Sequence, residues 1–120
     1  VADRDALDEA VLRITRTVPA NGTNLQKVFS AAAELRPAPD NIFLITDGLP
    51  TIGVGSKSGG IVSPEERIKL FEAAVDDAPG GVPFNVILMP LEGDPSAAAA
   101  YWQLAQISKG SFLAPSRDWP

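Results

Sequence analysis

Apolar residues recur at helical spacing in the first part of the chain. In residues 5–17 and 25–35 they lie three or four positions apart, which predicts two amphipathic helices. The apolar face of the first is Leu7, Ala10, Val11 and Ile14, and that of the second is Leu25, Val28, Phe29, Ala32 and Leu35. Acidic residues lie near the start of the first segment and arginines near its end, an order that complements the helix dipole.

Two further helices are predicted from the way they begin. Ser63-Pro64-Glu65-Glu66 is typical of a helix start, because it offers a serine N-cap, a proline at the first helical position and a glutamate that completes a capping box. This helix is predicted to end near Asp77. Asp94-Pro95-Ser96 predicts a fourth helix, with Asp94 as its cap and Gly110 at its end.

Three other segments, residues 41–46, 83–89 and 111–114, are apolar and β-prone without helical spacing. Such continuous runs are typical of strands buried on both faces in a parallel sheet. The predicted order is helix, helix, strand, helix, strand, helix, strand, and alternating strands and helices favour a parallel sheet with right-handed crossovers. The sequence therefore predicts an α/β fold. Three strands are few for such a sheet, so either it stands alone or another piece continues it.

Composition limits the chemistry. The 120 residues suit one domain, and a net charge of −5 argues against a nucleic-acid binder. The chain has no cysteine and no histidine, which excludes zinc–thiolate sites, thiol catalysis and Ser-His-Asp catalysis within it. Any bound metal must be held by oxygen atoms, which favours Mg²⁺, Ca²⁺ or Mn²⁺. The chain begins at Val1 without an initiator methionine, so we expect a processed or excised piece.

Two residues stand where a cation could bind. Asp47 directly follows the first predicted strand, and ligands of open α/β sheets bind just beyond the carboxyl ends of strands. Asp47 could equally cap a turn. Thr23 precedes the second predicted helix, where Thr23 or Asn24 would serve as its N-cap. Position alone leaves the metal-binding and the structural interpretation open for Asp47 and favours the structural interpretation for Thr23.

Taken together, the segments around these residues resemble a known family. Asn-Gly-Thr-Asn-Leu at 21–25 resembles the threonine loop of von Willebrand factor A domains, and Ile-Thr-Asp-Gly at 45–48, followed by Pro50-Thr51, resembles that family's aspartate motif. The resemblance covers nearly the whole chain. It implies that residues 1–120 are one partial domain, the C-terminal half of a doubly wound, Rossmann-like parallel sheet with flanking helices.

The resemblance also implies a metal-dependent adhesion site that binds Mg²⁺, or Ca²⁺ or Mn²⁺, in the complete domain, and a protein ligand. Thr23 and Asp47 would be metal ligands, and the loops of the ligand face would include Asn21, Gly22, Asn24 and Gly48. The family's Asp-x-Ser-x-Ser motif occurs nowhere in the chain. We therefore expect this piece alone to bind Mg²⁺ poorly or not at all.

The edge of the strand at 41–46 would be bare, so we expect it to contact the upstream half of the same domain or a second copy. The favoured function is a non-catalytic protein-interaction module without nucleic-acid partners. The alternatives are a Mg²⁺-dependent α/β enzyme and a structural domain with a dead metal site. Bacterial members of the family suggest the cell envelope or an extracellular location, although no residue here indicates it.

Overall fold

The computed structural model describes residues 3–18, 22–53, 62–89 and 94–115. Their elements follow the predicted order. The helices are α1 (Arg4–Arg16), α2 (Leu25–Glu34), α3 (Pro64–Asp76) and α4 (Ala97–Ile107), and the strands are β1 (Ile42–Thr46), β2 (Phe84–Leu88) and β3 (Phe112–Leu113). The three strands form one parallel sheet in the order β1-β2-β3. The predicted α/β class is confirmed, and the arrangement is consistent with a Rossmann-like fold.

Local capping explains where three of the helices begin. Ser63 and Glu66 form the predicted capping box at the start of α3, and Asp3 caps α1. Asn24 caps α2 by accepting a hydrogen bond from the backbone N–H of Lys27 at 3.0 Å. The prediction that Asp94 caps α4 was wrong: Ser96 occupies the cap position without a side-chain bond, because the Asp94 carboxylate is engaged elsewhere.

The core lies on one face of the sheet, under α2, α3 and α4. The inward residues of β2, which are Phe84, Val86 and Leu88, are buried against side chains from all three helices. Phe29 of α2 packs on Phe84 with ring centroids 4.9 Å apart, and Phe71 of α3 meets Tyr101 of α4 edge-on at 5.1 Å. This core fixes α3 and α4 relative to the carboxyl ends of β1 and β2.

A glycine after α4 allows the chain to return close to the sheet. Lys109 takes the left-handed conformation (φ 62°), and the next residue is Gly110. A Cβ at Gly110 would overlap the backbone of Phe84. The glycine is therefore needed where the chain passes β2 before β3 begins.

The other face of the sheet is largely uncovered in the described part of the chain. Phe43 is 72% exposed and Ile45 70% exposed, and Leu113 of β3 is also exposed. The expectation that these strands are buried on both faces was therefore wrong for β1. Helices α2, α3 and α4 all pack on the opposite face, and α1 contacts no other described element and has no buried residue. No helix among the described residues is both long and apolar enough to cross a membrane.

Candidate functional site

Two loops meet at the carboxyl edge of the sheet. The backbone carbonyl of Thr23 accepts hydrogen bonds from the N–H groups of Thr51 and Ile52, each at 3.0 Å. In return the Thr23 N–H donates to the Thr51 hydroxyl at 3.0 Å, and the Asn24 amide donates to the Gly53 carbonyl at 3.2 Å. The loop before α2 and the segment that follows Asp47 therefore form one structural unit.

Thr23 and Asn24 have different roles within this unit. Asn24 uses its side-chain oxygen to cap α2 and its amide to hold Gly53. The structure thus assigns the capping role to Asn24, the residue next to Thr23. Thr23 itself is exposed at the surface of the unit. Its hydroxyl is not required for the cap, which leaves it suited to another role.

Asp47 comes directly after β1 and is exposed at the carboxyl end of that strand. A carboxylate at this position, together with a threonine hydroxyl from an adjoining loop, provides the oxygen donors that Mg²⁺ or Ca²⁺ prefers. In residues 3–18, 22–53, 62–89 and 94–115 no group of three or more acidic, histidine or cysteine side chains forms a metal-binding cluster. The donor set fits a hard cation in kind, although two protein ligands are few.

The residues that follow Asp47 are held by a network that the sequence did not indicate. Asp94 accepts a hydrogen bond from the Leu49 N–H at 2.7 Å, and Arg67 donates to the Leu49 carbonyl at 2.6 Å. The two side chains also form an ion pair with an N–O distance of 2.8 Å. The rule that selected Asp47 could have selected Asp94, because Asp94 also follows a strand at this edge of the sheet.

Tyr101 adds a third contact to the same turn. Its buried hydroxyl donates to the Gly48 carbonyl at 2.9 Å, and the Thr46 hydroxyl donates to the same oxygen at 3.0 Å. Burial raises the pKa of Tyr101 to about 12, and the negative charges of Asp94 and Asp47 act in the same direction. The neighbouring Thr46 hydroxyl and the charge of Arg67 oppose this rise in the pKa. Tyr101 therefore remains a neutral donor at physiological pH.

The glycines of the two loops allow close approach. A Cβ at Gly48 would lie 2.7 Å from the Asp94 carboxylate and 3.1 Å from the Arg67 guanidinium, and Gly48 is buried. A Cβ at Gly22 would overlap the Thr51 hydroxyl. Both glycines of the predicted ligand face thus permit the packing of neighbouring groups. Asn21, the remaining residue of that prediction, lies outside the described residues, as does part of the glycine-rich loop at 53–60.

No protein-family model, no curated protein and no solved structure matches the chain.

Proposed function

We propose that the chain is part of a metal-dependent, non-catalytic protein-interaction module of the von Willebrand factor A type. Thr23 and Asp47 contribute oxygen ligands to a Mg²⁺ ion, which Ca²⁺ or Mn²⁺ could replace, and an acidic group of a protein partner completes its coordination. The observation that supports this most directly is the set of hydrogen bonds joining the Thr23 loop to residues 51–53, just beyond Asp47.

The arrangement favours binding over catalysis. Asp47 is exposed at a loop surface, and Asp94, which contacts the turn after it through the Leu49 N–H, is paired with Arg67. Proton transfer at neutral pH needs a group that titrates there, and the chain has no histidine. The buried hydroxyl of Tyr101 keeps its proton well above neutral pH, since its pKa is about 12. These features suit a site that holds a cation and offers it to a partner.

Paramagnetic broadening by Mn²⁺ tests the proposed metal site, because NMR can detect weak binding residue by residue. We expect broadening of the Thr23 and Asp47 amide signals with an affinity on the order of millimolar or weaker, since two protein ligands make a poor chelate. Asp47→Asn should abolish it. Asp40→Asn, an exposed aspartate just before β1, makes the same charge change and should leave it intact. Equal broadening in both variants would refute the metal site, and micromolar binding would refute the expected weakness.

The proposal includes a partner at the outer edge of β1. This strand pairs with β2 alone in the described sheet, and its side chains Phe43 and Ile45 are exposed on the face above. An unpaired apolar edge strand recruits another strand. We propose that this strand comes from upstream residues of the same domain, or from a second copy when the chain is studied alone.

Light scattering over a range of concentrations tests the edge in the isolated chain. We expect self-association that Ile45→Lys weakens, because a charge on the bare face opposes burial there. Ile107→Lys places the same charge on an equally exposed isoleucine of α4 and serves as the matched control. A monomer at high concentration, or equal effects of the two variants, would contradict self-association through this edge.

A further inference from the structure

Leu49 lies between the two parts of the candidate site. Asp47 precedes it by two residues, and Thr51, which bonds the Thr23 loop, follows it by two. Both backbone groups of Leu49 are held by charged side chains from outside the loop, its N–H by Asp94 and its carbonyl by Arg67. Holding this one residue therefore restrains the backbone midway between Asp47 and Thr51.

The contacts to Leu49 are of the strong kind. Each pairs a neutral backbone group with a charged side chain, at distances of 2.7 Å and 2.6 Å. Asp94 and Arg67 are also largely shielded from water, with side-chain exposures of 9% and 21%. A shielded ion pair loses much of its attraction to the cost of desolvation, so it is weak evidence for a purely stabilising role. Its defined geometry is better suited to fixing a turn.

We propose that Arg67 and Asp94 are positioning residues for Asp47, which lock the turn of residues 47–49 and so fix the backbone from which the Asp47 carboxylate extends. As a statement about metal binding, this inference rests on the proposed function, in which Asp47 is a metal ligand. Asp94 is assigned the positioning role because its Oδ2 atom accepts from the Leu49 N–H and pairs with Arg67. Gly48 is needed for the same arrangement, since a side chain there would displace the Asp94 carboxylate and the Arg67 guanidinium.

Two variants, called the lock variants, remove the contacts of the Arg67–Asp94 pair with Leu49 in different ways. Asp94→Asn removes the charge and leaves Arg67 without its partner. The double variant Arg67→Met/Asp94→Ala removes one positive and one negative charge, so it leaves no buried charge uncompensated and is expected to fold. Glu9→Gln is the control, because it breaks the exposed Arg13–Glu9 pair on α1 with the same charge change as Asp94→Asn.

Hydrogen exchange of individual amides provides the readout that does not depend on metal. We expect the Leu49 amide to exchange roughly tenfold faster in both lock variants, because it loses a charge-assisted hydrogen bond. In the double variant, which leaves no charge uncompensated, the amides of β2 should change less than the Leu49 amide, and Glu9→Gln should change neither. An unchanged Leu49 amide, or an equal acceleration throughout β2 in the double variant, would overturn the proposal, since the pair would then hold no turn or merely stabilise the whole fold.

Mn²⁺ broadening in the same variants provides the second readout. We expect weaker binding at Asp47 in both lock variants, by roughly three- to tenfold, with the Thr23 amide affected alongside it. Unchanged Mn²⁺ binding together with a loosened Leu49 amide would overturn the positioning of Asp47. If Mn²⁺ does not bind the unmodified chain at all, the proposed metal site fails, and the Leu49 exchange still decides whether the pair locks the turn.

Discussion

The two faces of β1 are alike in sequence and different in structure. The run from Ile42 to Ile45 is apolar at every position, yet Ile42 and Leu44 pack against the core while Phe43 and Ile45 lie exposed. Continuous apolarity is what a strand needs when both faces are covered. β1 therefore has the composition of a central strand, whereas the described elements cover it as they would cover an edge strand.

The largest effect is expected when the same substitution is made on the two faces. Phe84→Ala removes a ring that is 1% exposed, so it should lower the free energy of unfolding by about 3–5 kcal/mol. Phe43→Ala removes a ring that is 72% exposed and should cost less than about 1 kcal/mol. Urea denaturation of the two variants measures the difference. If Phe43→Ala costs as much as Phe84→Ala, the outer face is covered in solution.

The next largest change in the free energy of unfolding is expected at the shielded ion pair of Arg67 and Asp94, compared with the exposed pair of Arg13 and Glu9. Asp94→Ala leaves Arg67 without its partner and the Leu49 N–H without an acceptor, which should cost about 3 kcal/mol. Glu9→Ala in the exposed pair on α1 should change the free energy of unfolding by less than about 0.5 kcal/mol. Equal costs in urea denaturation would mean that the pair at the 47–49 turn is open to solvent.

A third prediction concerns alkaline pH. The unfolded chain ionises its tyrosine near pH 10, whereas the fold keeps the Tyr101 proton until the pKa of about 12. Between these values the unfolded state binds fewer protons, so stability is full below pH 10 and falls by about 2–3 kcal/mol towards pH 12. Tyr101→Phe should lack this fall, which separates it from the titration of lysines. Its own cost near neutral pH is about 1 kcal/mol, from the lost bond to Gly48.

Because Tyr101 is the single tyrosine of the chain, its ionisation can also be followed directly by tyrosinate absorbance. The midpoint should lie near 12 in the folded chain. A midpoint near 10 while the chain is still folded would contradict the burial of the hydroxyl and its bond to the 47–49 turn.

Local signals predicted most of the fold. Helical spacing, the capping box at Ser63 and the apolar runs gave every described element in its order, with small differences at the ends, such as α2 ending at Glu34. Thr23 and Asp47 were selected as candidates because each stands at the end of an element, and their metal-binding role stays a prediction. The capping prediction was wrong at Asp94. This residue stands where a helix cap is expected, but its carboxylate binds the Leu49 N–H and Arg67, both distant in sequence, instead.

The 47–49 turn shows why the rest could not be predicted. The sequence indicates only that Arg67 is a surface arginine of α3 and that Tyr101 is a core residue of α4. Their contacts with Leu49 and Gly48 depend on how α3 and α4 pack over the sheet, which no local pattern encodes. The exposed outer face is a similar case, because apolar spacing predicts burial without indicating which element provides it.

The smallest effect distinguishes the two neighbours that the sequence left open as caps of α2. Asn24→Ala removes the acceptor for the Lys27 N–H and should lower the free energy of unfolding by about 1 kcal/mol. Thr23→Ala keeps that cap and the backbone bonds to residues 51 and 52, so it should change stability by less than about 0.5 kcal/mol. In Mn²⁺ broadening the order should be reversed, with Thr23→Ala losing more affinity than Asn24→Ala. If Thr23→Ala is instead the more destabilising variant and Mn²⁺ binding is unchanged in both, the threonine is structural and the metal site would have to rest on Asp47 alone.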